Sequence, residues 1–261
     1  ILFSIISLLS FGIWLNLSNV YGYPKLFLFW RWVTFLVLVN GLVLFLIDGV
    51  DQVQWFNNFF NKDLIDYQVG ILLWFLALMV LCFNFSYSFE FFILFVISFW
   101  SSLMILSTVD FIMFYFLLEL QSMSFYILAS WNKTKRISIE GGLKYFFLSS
   151  FSSIVMLFGF SFLYSYCGLT NLNDIALVNA TAPFNQLLGV ILVFVGFLFK
   201  LYCAPFHYWV ADIYEGTTTV VVALFSALSL ITFFHFLSKL LKGAYLPFLV
   251  TWQDLFQFLV P

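Results

Sequence analysis

The sequence predicts an all-α fold: a polytopic transmembrane helix bundle of about nine spanning helices, with the seventh helix broken. Three observations carry the membrane reading. Hydrophobic residues fill 64% of the 261 positions and charged residues only 8%, where a soluble domain carries about 25% charged residues. The apolar residues gather in runs of the length that crosses a bilayer, ~20 residues at 1.5 Å rise each. Polar, glycine- and proline-bearing breaks separate those runs. A mean hydropathy of +1.08 rules out a water-soluble globule. A net charge of −2 offers no basic surface to nucleic acid.

The runs follow in order. The first, 1–17, has neither a positive leading region nor a small-residue cleavage site, so it reads as a spanning helix rather than a signal peptide. Tyr21-Gly22-Tyr23-Pro24-Lys25 separates it from the second, 26–47. A polar loop from Asp48 to Asp66 precedes the third, 69–87. The fourth, 90–107, and the fifth, 111–130, come after very short turns, which makes the third, fourth and fifth antiparallel neighbours. Trp131 to Arg136 breaks the chain before the sixth run, 142–166. A loop at Thr170-Asn171-Leu172-Asn173-Asp174 leads on to the seventh, 187–208, then the eighth, 219–240, and the ninth, 245–260. The whole reads as one transmembrane domain: three helices over 1–87, a core over 90–240 and a terminal helix over 245–260. Loops on one side hold Lys25, Lys133, Lys135 and Arg136, and loops on the other hold Lys62 and Lys242 among five aspartates. The positive-inside rule turns the first set to the cytoplasm or a mitochondrial matrix.

A charged side chain at mid-bilayer costs roughly 2.5–3.5 kcal/mol on insertion scales, so those retained there need a reason. Glu119 sits about 12 Å into its run and is too short to reach either interface. It is either a proton carrier or a pin between helices. Lys144 follows Glu140 by four residues, a spacing that supports a helix, and lies near enough to the end of its run to snorkel. Lys200 lies about 20 Å into the seventh run, with Pro205 five residues on and His207 beyond. The proline removes a donor and breaks the helix just past the lysine, and broken helices at membrane depth line polar cavities. A desolvated lysine there loads and releases a proton; the alternative is permanent pairing with an acid on another helix. Ser149, Ser150, Ser152 and Ser153 carry water or let helices approach closely. His235 is a relay group or a hydrogen-bonded structural histidine, since imidazole titrates near neutrality. Cys82, Cys167 and Cys203 form no CxxC, and Cys203 with His207 makes too few ligands for a metal.

Four stretches resemble a known family. They are Leu118-Glu119-Leu120-Gln121-Ser122-Met123-Ser124-Phe125-Tyr126, Glu140-Gly141-Gly142-Leu143-Lys144-Tyr145-Phe146, Gly168-Leu169-Thr170-Asn171-Leu172, and Phe199-Lys200-Leu201-Tyr202-Cys203-Ala204-Pro205-Phe206-His207 running on to Tyr214-Glu215-Gly216. In this order they are similar to the chain 2 family of the proton-pumping NADH:ubiquinone oxidoreductase, respiratory complex I. The resemblance implies an antiporter-like subunit of the membrane arm, in the mitochondrial inner membrane, a non-redox part of a proton-translocating enzyme. Glu119, Lys144 and Lys200 match the family's proton-translocating residues. The resemblance further implies that NADH, FMN, iron–sulfur clusters and ubiquinone bind elsewhere in the complex and none to this chain. Its partners are then membrane lipids and the other membrane-arm subunits. Two departures stand out. The family's lysine in the eighth helix falls on Leu230, and its proline-rich approach reads Thr217-Thr218-Thr219-Val220. The family also continues for further helices after the position matching Pro261, so a separately encoded chain supplying them is expected, with loss of the second half as the runner-up. A stand-alone cation/proton antiporter and a structural subunit with a decayed channel are the competing readings. Three expectations bear on geometry: Glu119 and Lys144 approach each other, Lys200 sits beside a non-helical break, and the relay is rerouted past Leu230 or ends at Lys200.

Overall fold

The computed structural model describes residues 25–47, 59–82, 89–132, 134–178 and 184–242. The first and ninth runs lie outside the described residues. The helices are α1 (Lys25–Ile47), α2 (Leu64–Cys82), α3 (Phe89–Ser107), α4 (Phe111–Ala129), α5 (Arg136–Cys167), α6 (Leu172–Val178), α7 (Phe184–Lys200), α8 (Tyr208–Gly216) and α9 (Thr219–Leu224). The last of these continues through a π-helical turn, Phe225–Ser229, into α10 (Leu230–Lys242). The described residues contain no strand, only isolated bridges at Phe60–Thr108 and Asp110–Asn171. Five stretches among them are long and apolar enough to cross a membrane: α2, Glu90–Ser107, α4, α5 and the continuous Thr219–Lys242. The chain is a multi-pass membrane protein.

Three boundaries differ from the expected ones, each for a local reason. The helix expected from 69 starts at Leu64, because Asp66 folds back to accept the Asp63 N–H at 3.0 Å and caps the first turn. The loop expected over 170–174 becomes α6, whose start is fixed by the Asn173 N–H donating to Asn171 Oδ1 at 3.0 Å. Helix α5 begins at Arg136 rather than 142, with Arg136 and Glu140 paired at 2.9 Å across one turn. Its 32 residues make it ~48 Å long, against a hydrocarbon core of about 30 Å. At its far end Gly168 takes the left-handed conformation, φ 65°, and its N–H closes on Tyr164 O at 2.8 Å.

Short links set the topology. The Asn61 N–H donates to Ser107 O at 2.8 Å and the Phe111 N–H to Thr170 O at 3.2 Å. The start of α2, the end of α3, the start of α4 and the end of α5 therefore share one end of the bundle, the Asp110 end. Asp110 secures it, accepting from the Ile112 N–H at 2.9 Å and the Thr170 hydroxyl at 2.7 Å. At the opposite, Arg136 end, Arg31 donates to Leu81 O at 3.0 Å and α8 lies over the start of α5.

Helices α5 and α7 run antiparallel along a seam of glycines. A Cβ on Gly159 would meet Val193 Cγ2 at 2.7 Å and Gly189 O at 2.8 Å, and one on Gly196 would meet Met156 Cβ at 2.8 Å. Close backbone approach of this kind is how helices associate in lipid, where apolar surface alone gives no driving force. Gly159→Val should therefore lower stability by about 1–3 kcal/mol through overpacking. A thermal midpoint unchanged in detergent would show that the seam yields.

The apolar core falls into two bodies. One, toward the Arg136 end, centres on Trp74, Phe95, Phe99, Phe125 and Phe225. The other, toward the Asp110 end, centres on Phe114, Phe160, Phe197 and Phe236. Ser98, Ser101 and Ser102 of α3, Gln121 and Ser122 of α4, Ser149, Ser152 and Ser153 of α5, Lys200 of α7, and Ser229 and Thr232 beyond α9 are all buried. They lie between the two cores, so a polar layer crosses the bundle.

Candidate functional site in the polar layer

Lys200 ends α7. The Leu201 N–H still reaches Phe197 O at 2.8 Å, but the Cys203 N–H goes to Leu198 O at 3.0 Å, and Tyr202 takes φ 59°. Non-helical chain runs from Leu201 to His207, and α8 starts at Tyr208. The break stands where Pro205 removes a donor, as the sequence predicts. Lys200 is 4% exposed and its Nζ donates to Ser149 Oγ at 2.6 Å. Among the described residues no carboxylate lies within ion-pair distance of it, so permanent pairing with an acid is not in place.

Glu119 lies within electrostatic reach of Lys200, and also of Tyr115 and Tyr126. Its Oε1 is buried with no hydrogen-bond partner, as are both polar atoms of the Gln121 side chain and the Tyr126 hydroxyl. Buried groups with spare hydrogen-bonding capacity are rare in native proteins and need an explanation. Most serines of the layer add acceptors rather than donors. Ser98, Ser101, Ser102, Ser122, Ser152 and Ser153 give their hydroxyl protons to carbonyls three residues back on their own helices. Only oxygen lone pairs then face the interior.

The structure does not join Glu119 to Lys144. The carboxylate against Lys144 is Asp212 of α8, at 2.5 Å, with both side chains about half exposed, 52% and 54%. The reason is the fold-back of the chain after Lys200, which lays α8 on the first turns of α5. There Gly216 meets Ile137 and Gly141 meets Ile213. Exposed ion pairs contribute little to stability, so Lys144→Met is expected to leave assembly and thermal midpoint unchanged. A lowered midpoint would make this contact a structural clamp.

His235 does not stand at the place of the missing lysine. Its Nε2 is 2.5 Å from Asp66 Oδ1, and Lys239 Nζ is 2.7 Å from Asp66 Oδ2. Leu230, where the resemblance puts that lysine, follows directly on the π-helical turn; such turns recur at functional sites. Asp66, Lys239, Asp212 and Ser149 are the partners that sequence reasoning missed. The four-residue spacing of His235 and Lys239 was the available signal, since it puts both on one helix face.

The family described as NADH:quinone oxidoreductase/Mrp antiporter, TM, matches residues 108–259. The chain is 34% identical to NADH-ubiquinone oxidoreductase chain 2 of Marchantia polymorpha, over 97% of this chain and 55% of that protein. It is 40% identical to NADH-quinone oxidoreductase subunit N of a Wolbachia species, over 53% of this chain and 30% of that one. The chain spans about half the length of the plant relatives it matches. Two solved assemblies share its fold. A chain of respiratory complex I from Thermus thermophilus superposes with TM-score 0.74 at 24% identity, covering 90% of this chain and 52% of that one. A chain of the Mrp complex from Dietzia superposes with TM-score 0.77 at 20% identity, covering 94% and 48%. With most of its polar layer and the whole of its broken helix inside the matched residues, the chain belongs to the NADH:quinone oxidoreductase/Mrp antiporter transmembrane family.

Proposed function

We propose that this chain is a proton-translocating, non-redox membrane-arm subunit of a mitochondrial NADH:ubiquinone oxidoreductase, driven by quinone reduction elsewhere in the assembly. One observation carries the reading. Lys200 is buried at a helix break, held by a hydroxyl rather than a carboxylate, with Glu119 acting on it from a distance. An ammonium not locked in an ion pair can surrender its proton. The unpartnered oxygens and nitrogens of Glu119, Gln121 and Tyr126 supply acceptors and donors along which protons pass. Lys144, with Asp212, serves the Arg136 end in this scheme, and His235 the Asp110 end.

On this reading NADH, FMN, iron–sulfur clusters and ubiquinone bind to other subunits. The partners are the other membrane-arm chains. The likeness to ubiquinone-linked plant proteins supports the inner-membrane setting. The fold shared with an Mrp complex favours a second reading, an independent cation/proton antiporter. Native electrophoresis of solubilised membranes separates the two. Migration with NADH-oxidising activity in a large assembly supports the first. A small oligomer free of that activity supports the second and overturns the first.

A further inference from the structure

We propose that Asp66, His235 and Lys239 form a second proton-exchange site, at the Asp110 end of the bundle, reached from the polar layer past Ser229 and Thr232. The inference rests on the proton-translocating reading above and adds to it the residues that replace the lysine missing at Leu230.

Three groups converge on Asp66, whose side chain is 2% exposed. His235 Nε2 lies 2.5 Å from Oδ1. Lys239 Nζ donates to Oδ2 at 2.7 Å and also to Leu106 O at the end of α3. The Asp63 N–H donates to Oδ2 as well. Beside the Lys239 ammonium Asp66 is a carboxylate, which only accepts, so His235 Nε2 carries the hydrogen between them. That leaves Nδ1 as the basic atom of the cluster. Neutral His235 takes one proton there and becomes imidazolium, its Nε2–H still donating to Oδ1. The cluster passes from net charge 0 to +1, and loss of the same proton restores it. No other bond changes.

A tether between α2 and α10 requires only Asp66 and Lys239. His235 adds an imidazole that such a tether does not need, and its side chain is 6% exposed. Its position is not isolated. Ser229, Thr232, His235 and Lys239 follow one another at spacings of three, three and four residues, a single helix face that climbs ~15 Å from the polar layer to the end of the bundle. Ser229 and Thr232 are buried and spend their hydroxyl protons on carbonyls of their own helix, presenting lone pairs to whatever passes. Leu230 projects from another face, so this lane bypasses the lost lysine. The charged groups around His235 are few. Asp66 faces it from α2 and Lys239 from its own helix, and Asp63, just before α2, gives its N–H to Asp66. Asp110 is occupied by Ile112 and Thr170. Helices α4 and α7 present Phe114 and Phe197, both stacked with Phe236, and keep Glu119 and Lys200 for the polar layer. Helix α3 presents the Leu106 carbonyl.

His235→Gln in the assembled complex, reconstituted into liposomes, tests the idea, because a glutamine amide still donates to Asp66 and leaves the Lys239 pair untouched. Proton translocation is expected to fall at least about tenfold, as for loss of a positioned proton-transfer group, with assembly and thermal midpoint unchanged. Normal translocation in His235→Gln, together with its loss in Lys200→Met, would overturn the second site and leave the proposed function standing. Normal translocation in both would remove the proposed function itself. Should His235→Gln not assemble, His235→Asn, a shorter amide, is read in the same assay: translocation lowered about tenfold supports the site, and translocation at the unmodified rate excludes it.

Discussion

Lys200→Met is expected to stop proton translocation while the chain still folds and assembles. The two parts of that result have different causes. Lys200 makes one hydrogen bond, to Ser149, and no ion pair within 4.0 Å, so removing its charge breaks no contact ion pair. Methionine is nearly the same length, and leaving the Ser149 hydroxyl without its partner costs about 1–3 kcal/mol, too little to prevent folding. The transferable proton, by contrast, disappears with the amine. Lys200→Arg sharpens the test. Arginine keeps the positive charge near Glu119 but does not deprotonate in proteins. If Lys200 acts only as a fixed charge that shapes the layer, Lys200→Arg should translocate protons. If it carries the proton, Lys200→Arg should be as inactive as Lys200→Met. Proton uptake measured against NADH oxidation in reconstituted complex reads both. Failure of Lys200→Met to assemble would instead make the lysine a structural element.

What was legible in the sequence depended on whether the information was local. The break after Lys200 could be read because a charge and a proline five residues apart leave few other conformations. The second to eighth apolar runs appear as helices because length and composition decide membrane spans. The pairing of side chains across helices was not local. Glu119 and Lys144 each needed a partner on energetic grounds, yet spacing along a helix fixes a face and not the helix opposite it. Only the return of α8 over the start of α5 gives Lys144 to Asp212. Asp66 was hidden by its surroundings. An acidic residue in a stretch rich in Asp and Asn reads as loop, and its role as a helix cap and buried partner appears only when α10 comes alongside. The two-core arrangement with a polar layer between was partly visible in Ser149 to Ser153. The matching serines of α3 look unremarkable until the helices are set in register.

Asp66→Ala is expected to be the most destabilising single change in the described part of the chain. Lys239 is 17% exposed and His235 6%, and both direct their polar nitrogens at the two oxygens of one carboxylate. Taking that carboxylate away leaves a buried ammonium with only the Leu106 carbonyl and an imidazole N–H with nothing to meet. Breaking a buried pair from one side costs about 3–5 kcal/mol, which is a large part of what holds an ordinary domain together. The first turn of α2 loses its cap as well, since the Asp63 N–H bonds to the same side chain. The expected outcome is loss of assembly, or a complex dissociating at markedly lower temperature. Asp66→Asn/Lys239→Met separates the charge from the contact. The asparagine oxygen still accepts from His235, and no ammonium is left unpaired, so most of the lost stability should return. Equal instability in the double variant would place the cost in the cap and the hydrogen bonds. A stable Asp66→Ala complex would show that α2 and α10 are held together without this pair.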